Sequence, residues 1–268
     1  MSEFRAVFGS EHPIIAMLHL RALPGTPGFA GDVDAVYAQV LQEARFLAGA
    51  GVHGLLLENF GDVPYTVGTA EPVQVATMAA VGREIRQAVP LPLGVNVQFN
   101  AWREEVALAT AIGAAFVRAE AFVETRLTAQ GWAYPCSAEL MRELARLRTH
   151  ADVFADVQVK ETIPLVPLDT VEVAQQAVAA GAGALIVTGS ATGELPGLET
   201  LSQVRLRTGV PVLAGSGVSA ETVAEILRHA DGVIVGSALK ADGVVSNSVT
   251  EERVRKFMAA VQAAVGVR

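Results

Sequence analysis

Val210 to Lys240 reads V-P-V-L-A-G-S-G-V-S, then a polar–apolar helical pattern, then D-G-V-I-V-G-S-A-L-K. Two short apolar runs, Val210–Ala214 and Gly232–Val235, each end in a glycine–serine turn. Gly215, Ser216 and Gly217 close the first, and Gly236 and Ser237 close the second. Glycine lets the backbone turn tightly and approach a ligand, leaving N–H groups free to face an anion. A helix starting just beyond would add its positive end. Two such turns after consecutive strands, about twenty residues apart, match the phosphate cup after strands 7 and 8 of a (β/α)8 barrel. These five residues are therefore the expected phosphate-binding set.

Working outward, the same alternation fills the chain. Strand-like runs are expected at Ile14–Leu20, Leu55–Glu58, Leu93–Val97, Ala115–Ala119, Val153–Val159 and Ala184–Thr188. Helical patterns follow from about Val33 to Ala50, with Asp32 as cap, and at Val73–Ala88, Glu104–Ile112, Ala138–Thr149, Asp169–Ala180 and Leu198–Thr208, with Glu251–Val265 as the last. Strands alternating with helices mean βαβ units and a parallel sheet, and eight of them suggest closure. The expected fold is a single (β/α)8 TIM barrel over residues 1–268. Helix-to-strand links are terse, as in A-G-V at Ala50–Val52. Strand-to-helix links are long, as in Asn59–Pro72, Glu120–Ser137 and Gly189–Gly197. That asymmetry locates the working face at the C-terminal ends of the strands.

Composition narrows the partners. Hydrophobic residues make up 51% of 268 and aromatics only 6%, so the core must be aliphatic and alanine-rich. A net charge of −8 argues against non-specific nucleic-acid binding. No uncharged apolar run is long enough to span a bilayer, and the N-terminus carries no signal-peptide core. Cys136 is the only cysteine, which suits a reducing, cytoplasmic setting, and no histidine near it in sequence would activate it.

Polar residues end the early strands: His19 on the first, Glu58 and Asn59 on the second, Asn96 and Gln98 with Asn100 beyond on the third. The fourth offers Arg118 and Glu120, the fifth Asp156, Gln158 and Lys160, and the sixth Thr188. Strict alternation would put Asp156, Gln158 and Lys160 on one face, pointing into the barrel. Lys160 is expected to attack a carbonyl or to stabilise an enolate, with Asp156, Glu58, His19 and Glu120 as proton-transfer candidates. Asn96, Arg118, Gln158 and Thr188 are the expected substrate contacts. Structural alternatives stand beside these: Asp156 offsetting Lys160, Arg118 pairing with Glu120, Asn96 holding a loop. Two carboxylates and a histidine would suit a divalent metal, but no H-E-x-x-H-like spacing supports one, so a metal is an option and the cofactor is left open. Phe60, Tyr65, Phe122, Trp132 and Tyr134 fall on the long loops, which suggests a lid or the interface of a homo-oligomer.

Four stretches carry a family resemblance: I-A-M-L-H-L-R-A-L-P-G-T-P (Ile15–Pro27), G-L-L-L-E-N-F-G-D-V-P (Gly54–Pro64), A-D-V-Q-V-K (Ala155–Lys160) and I-V-T-G-S-A-T-G (Ile186–Gly193). Together they resemble the BtpA/SgcQ family. The resemblance implies a (β/α)8 barrel. One branch of that family is linked to photosystem I biogenesis, another to sugar-operon proteins and phosphorylated sugars. The chain departs from the family pattern at V-N-V-Q-F-N-A-W (Val95–Trp102), where a basic residue and an Asp usually follow the Asn. It departs again at Gln158, where a His is common. Each departure removes an ionisable group. Two classes of function follow: a lyase, aldolase or isomerase acting on a phosphorylated sugar or nucleoside-derived molecule, or a non-catalytic assembly factor with a vestigial anion site.

Overall fold

Short runs such as I-I-A-M-L-H and G-L-L-L-E are apolar on both sides, which an isolated sheet cannot bury but a helix-wrapped barrel can. The computed structural model describes residues 3–189 and 194–266. It opens with α1 (Glu3–Phe8), followed by β1 (Ile14–His19), α2 (Val33–Gly49), β2 (Gly54–Glu58), α3 (Pro72–Ala88), β3 (Leu93–Asn96), α4 (Trp102–Ile112) and β4 (Phe116–Ala119). A hairpin of β5 (Arg126–Thr128) and β6 (Gly131–Ala133) precedes α5 (Ser137–Leu147). Then come β7 (Asp152–Val157), β8 (Ile163–Pro164), α6 (Thr170–Ala179), β9 (Ala184–Val187), α7 (Leu198–Thr208), β10 (Val212–Ala214), α8 (Val223–His229), β11 (Gly232–Val235) and α9 (Glu251–Gly266). Asp32 caps α2 by accepting from Ala35 N, and Asp169 caps α6 through Val171 N and Glu172 N.

Eight parallel strands close a barrel in the order β1, β11, β10, β9, β7, β4, β3, β2, with β1 pairing both β11 and β2. Outward residues such as Leu55, Leu57, Val95 and Val117 pack on the apolar stripes of the helices. Inside, Ile15, Met17, Leu56, Phe116, Phe154 and Ile186 fill the lower layers. The Phe116 and Phe154 rings stack at 4.2 Å between centroids. Only a glycine fits at position 94, because a Cβ there would lie 2.2 Å from the Phe116 ring. Phe4 and Phe8 of α1 plug the N-terminal mouth against Phe154 and Phe116. Above the apolar layers, the inner surface changes to His19, Glu58, Arg118 and Asp156.

A small antiparallel sheet in the order β6, β5, β8 joins the segments that follow β4 and β7. Its anchor is Arg126, which is buried. The guanidinium pairs with Glu124 at 2.9 Å and donates to Thr162 Oγ1 and the Val159 and Thr162 carbonyls. Glu124 also accepts from Gln158 N at 2.9 Å. The segment that carries Lys160 is thus stitched to the hairpin after β4.

That stitching overturns the expected alternation along the fifth barrel strand. The strand ends at Val157, and Gln158 turns to a φ of +55°. Its amide then points to the start of α6, donating to Leu168 O and accepting from Thr170 Oγ1. Gln158 is therefore not inside the barrel with Asp156 and Lys160. The aromatic loop residues also separate. Phe60 and Tyr65 line the mouth, Phe122 is core, and Trp132 and Tyr134 face outward from the small sheet. No helix among the described residues is long and apolar enough to cross a membrane.

Candidate functional site

The C-terminal mouth encloses a cavity of about 500 Å3, roofed by Thr128–Gln130 of the hairpin and Glu161–Thr162 beside β8. One side carries Glu58, Arg118, Glu120 and Lys160; the turns Gly215–Gly217 and Gly236–Ser237 line another, with His19 of β1 next to Gly236. Around the barrel, β11 stands diametrically across from β4, so the glycine turns face the strand that bears Arg118 and leads to Glu120.

Arg118 is the hub of the charged wall. It grips Asp156 through Nε at 2.9 Å and Nη2 at 3.2 Å, and reaches Glu58 from Nη1 at 3.5 Å. The fork geometry of a guanidinium suits this arrangement, and all three side chains are buried. Two structural alternatives are thereby corrected. Asp156 pairs with Arg118 and not with Lys160, and Arg118 pairs with Asp156 and Glu58 and not with Glu120. Asp156 lies beneath the cavity, with its oxygens occupied. The Lys160 ammonium lines the cavity and makes no ion pair or hydrogen bond among the described residues. Burial, then the neighbouring Arg118 charge, lowers its pKa, while Glu58, Asp156 and Glu161 act against that.

Three further groups have shifted protonation. Burial pushes the Glu120 carboxyl up to about 8, against the pull of Arg118 and the Asn100 amide. Burial also raises Glu58, whose Oε1 accepts from Gln98 Nε2 at 2.6 Å. His19 is held neutral by burial and by the charges of Lys240, Lys160 and Arg118; it lies 3.9 Å from Glu58 and packs against the Phe60 ring at 4.7 Å. Glu120 thus titrates where a proton-transfer group works best. The same shift has a stability consequence. A carboxyl protonated in the fold up to about pH 8, but only to about 4.5 in the unfolded chain, makes the native state bind more protons between those values. Stability should therefore fall as pH rises through that window, and Glu120→Gln should flatten the profile. Urea midpoints from pH 5 to 9 read this directly; parallel profiles for the two proteins would refute it.

Several polar residues at and beyond the strand ends make structural hydrogen bonds. Asn96 donates to Arg118 O at 3.1 Å and hydrogen-bonds the Glu105 carboxyl below the cavity. Asn59 bridges Asp62 and Gln98 N. Asp62 in turn accepts from Leu23 N, fastening the loop after β1 to the loop after β2. Gly61 permits that approach, since a Cβ there would lie 2.3 Å from Ala22 N. Asn100 donates its amide to Glu120 and accepts from Ala121 N, so it positions the carboxylate. Thr188 packs beside Gly215 outside the cavity lining. Residues 190–193 of the I-V-T-G-S-A-T-G run lie outside the described residues.

The glycine turns are built for close approach. Gly217 has a φ of +66°, and a Cβ there would lie 2.5 Å from Leu195 N. Ser216 Oγ accepts from Gly189 N at 2.9 Å and donates to Glu194 O at 2.6 Å, so its hydroxyl ties the turn to the loop after β9. The N–H groups of Gly217 and Ser237 have no backbone acceptor among the described residues. The expected help from a helix end is not there: α8 begins at Val223, and the Val223 and Glu225 amides of its first turn donate to the Ser219 and Thr222 carbonyls. Two residues escaped the sequence reading. Lys240 is only 1% exposed and donates to Asn247 O; its charge helps to keep His19 neutral. Arg126 fixes the Lys160 segment, a task that nothing in its local sequence signals.

Residues 10–263 match the profile of the BtpA family. The chain belongs to the BtpA family. An uncharacterized protein of Thermococcus kodakarensis is 38% identical to this BtpA-family chain over 251 residues, covering 92% of it and 94% of the relative. The photosystem I biogenesis protein BtpA of Synechocystis is 33% identical over 256 residues, covering 95% of this chain and 89% of its own length. Among solved structures, a thiamine phosphate pyrophosphorylase from Pyrococcus furiosus superposes with a TM-score of 0.61 at 15% identity, covering 96% of this chain and 98% of that one. N-(5'-phosphoribosyl)anthranilate isomerase from Pyrococcus furiosus does so with 0.58 at 13% identity, covering 94% and 99%. At such identities the likeness is one of fold.

Proposed function

We propose that this BtpA-family protein is an enzyme of lyase, aldolase or isomerase type. Its substrate is a phosphorylated sugar or nucleoside-derived molecule, held at the C-terminal mouth. The observation that carries this reading is the two-sided cavity. Close-approach glycines and amides with no backbone acceptor among the described residues line one side; carboxyls of raised pKa and an ammonium with no hydrogen bond or ion pair among the described residues line another. A phosphate on the glycine wall would leave the rest of a small substrate spanning toward Lys160, Glu120 and Glu58. Two of the structural neighbours have phosphate compounds in their names, which is consistent with such a site on this fold.

The test is calorimetric titration with inorganic phosphate and small sugar phosphates, together with the shift each gives in melting temperature. Gly236→Val is the informative variant. A Cβ at Gly236 would sit 3.1 Å from His19 Cε1 and 3.3 Å from Met17 Cγ, so the larger side chain must occupy the anion side. Gly236 has a negative φ, unlike Gly217, whose φ of +66° would strain any other residue in the turn itself. Phosphate-induced stabilisation should disappear in Gly236→Val; its persistence would show that the cup is only a pair of turns.

The second reading, an assembly role, has one observation in its favour. Cross-strand pairing aligns Trp132, Leu127 and Ile163 in a row on the small sheet; Ile163 is 64% exposed, and Tyr134, just past β6, is 67% exposed. We favour a second copy of this chain as the occupant of that face, since the row continues the roof of the cavity and pairing there would stiffen it. A strictly monomeric species by light scattering at working concentration would remove the homo-oligomer from this reading.

A further inference from the structure

Lysine is scarce in this protein. Of 20 basic side chains only three are lysines, at 160, 240 and 256. Lys256 pairs with Glu221 on the surface, and Lys240 is buried against the Asn247 carbonyl. Lys160 alone of the three lines the cavity, and it alone makes no hydrogen bond or ion pair among the described residues. Arginine would serve better for a fixed charge, because it stays protonated and forks onto carboxylates or phosphates. Lysine offers what arginine cannot: an amine able to lose its proton and form a bond.

The surroundings suit that use. Arg118 already pairs with Asp156 and Glu58, so the carboxyls of the adjoining strands are engaged elsewhere. The Arg126 anchor on Val159 and Thr162 brackets Lys160 on both sides and fixes where its side chain starts. Thr128–Gln130 of the hairpin and Glu161–Thr162 line the cavity on the same side as Lys160. Around the barrel, β7 lies two places from β10, so Lys160 flanks the path from the glycine turns to Glu120.

We propose that Lys160 is a carbonyl-condensing amine, and that the substrate class is therefore a phosphorylated aldehyde or ketone. The proposal rests on the functional reading above and narrows it. In the step, neutral Nζ attacks the carbonyl carbon and a C–N bond forms. One proton leaves the nitrogen and one reaches the oxygen, giving a carbinolamine. A protonated carboxyl of the cavity, such as that of Glu120, then supplies a proton as the C–O bond breaks and water departs. Nζ keeps its remaining hydrogen, so the product is a protonated imine with one positive charge. No oxidant or reductant is consumed.

Borohydride trapping tests this on the intact protein. Glyceraldehyde 3-phosphate is the probe, with unphosphorylated glyceraldehyde and inorganic phosphate as arms. Hydride reduces an imine to a stable secondary amine, so intact mass should rise by the ligand less one oxygen atom. Peptide mapping should place the adduct on Lys160, apart from the other two lysines and the α-amino group. Labelling should saturate with the phosphorylated aldehyde, be suppressed by inorganic phosphate, and vanish in Lys160→Arg, whose folding is checked by its melting temperature. If phosphate and glyceraldehyde 3-phosphate bind but Lys160 is never labelled, the imine is overturned while the phosphate site stands. If neither binds, the functional reading and this inference fall together. Equal, unsaturable labelling by both aldehydes would mark ordinary amine reactivity and also overturn it.

Discussion

Arg118→Met should destabilise the protein by about 3–5 kcal/mol, the usual cost of stripping one partner from a buried ion pair. The structure gives the reason in distances. Asp156 is held at 2.9 and 3.2 Å with its side chain fully shielded from solvent, and Glu58 at 3.5 Å is almost as buried. Methionine keeps much of the stem volume, so the loss reads the charge and not a cavity. A buried carboxylate without its counter-ion takes up a proton. The deficit should accordingly be smallest in acid and grow as pH rises toward neutrality. Combining Arg118→Met with Asp156→Asn should recover part of it, since one orphaned charge is then gone. Urea midpoints of the three proteins at pH 5 and pH 8 check each step. A single variant as stable as the parent at pH 8 would mean that the triad is not the buried unit described here.

The barrel itself was legible because each strand is an apolar run and each helix an amphipathic one, a signal that local sequence carries in full. The ring of ionisable residues was legible because strand ends in this fold share one mouth. What failed was the fine aim of side chains beyond the strand ends. Gln158 was placed inside by continuing the alternation of Asp156, yet a left-handed residue at 158 breaks it, and that turn is imposed by Glu124 and Arg126 some thirty residues earlier. Likewise the structural alternative of Asp156 offsetting Lys160, its strand neighbour, gives way to the fork of Arg118 on the adjacent strand, which holds Asp156 through two hydrogen bonds. Asn59 looked like a site residue because it follows Glu58, but its partners are Asp62 and the backbone of Gln98. Tertiary partners decided each case, and no periodicity reports them.

The revised pairing reverses what Lys160→Met should do. Were Lys160 the counter-ion of Asp156, its removal would cost as much as that of Arg118. With Asp156 held by Arg118, and no partner within ion-pair distance of Lys160 among the described residues, the variant loses only a partly desolvated charge. Its stability at neutral pH should match or slightly exceed the parent's. The sign of the pH effect follows from the lowered pKa. Between the folded value and about 10.4 for the unfolded chain, the unfolded state binds more protons, so the parent gains stability as pH rises there and the methionine variant does not. Ligand binding should behave oppositely. Glyceraldehyde 3-phosphate should raise the melting temperature no more than inorganic phosphate does, because the group that engages its carbonyl is gone. Inorganic phosphate, which needs only the turns at Gly215–Gly217 and Gly236–Ser237, should stabilise variant and parent alike. Calorimetry on the one variant with both ligands separates the two walls of the cavity. A large drop in melting temperature with both ligands still bound would make Lys160 a structural counter-ion and remove it from the chemistry.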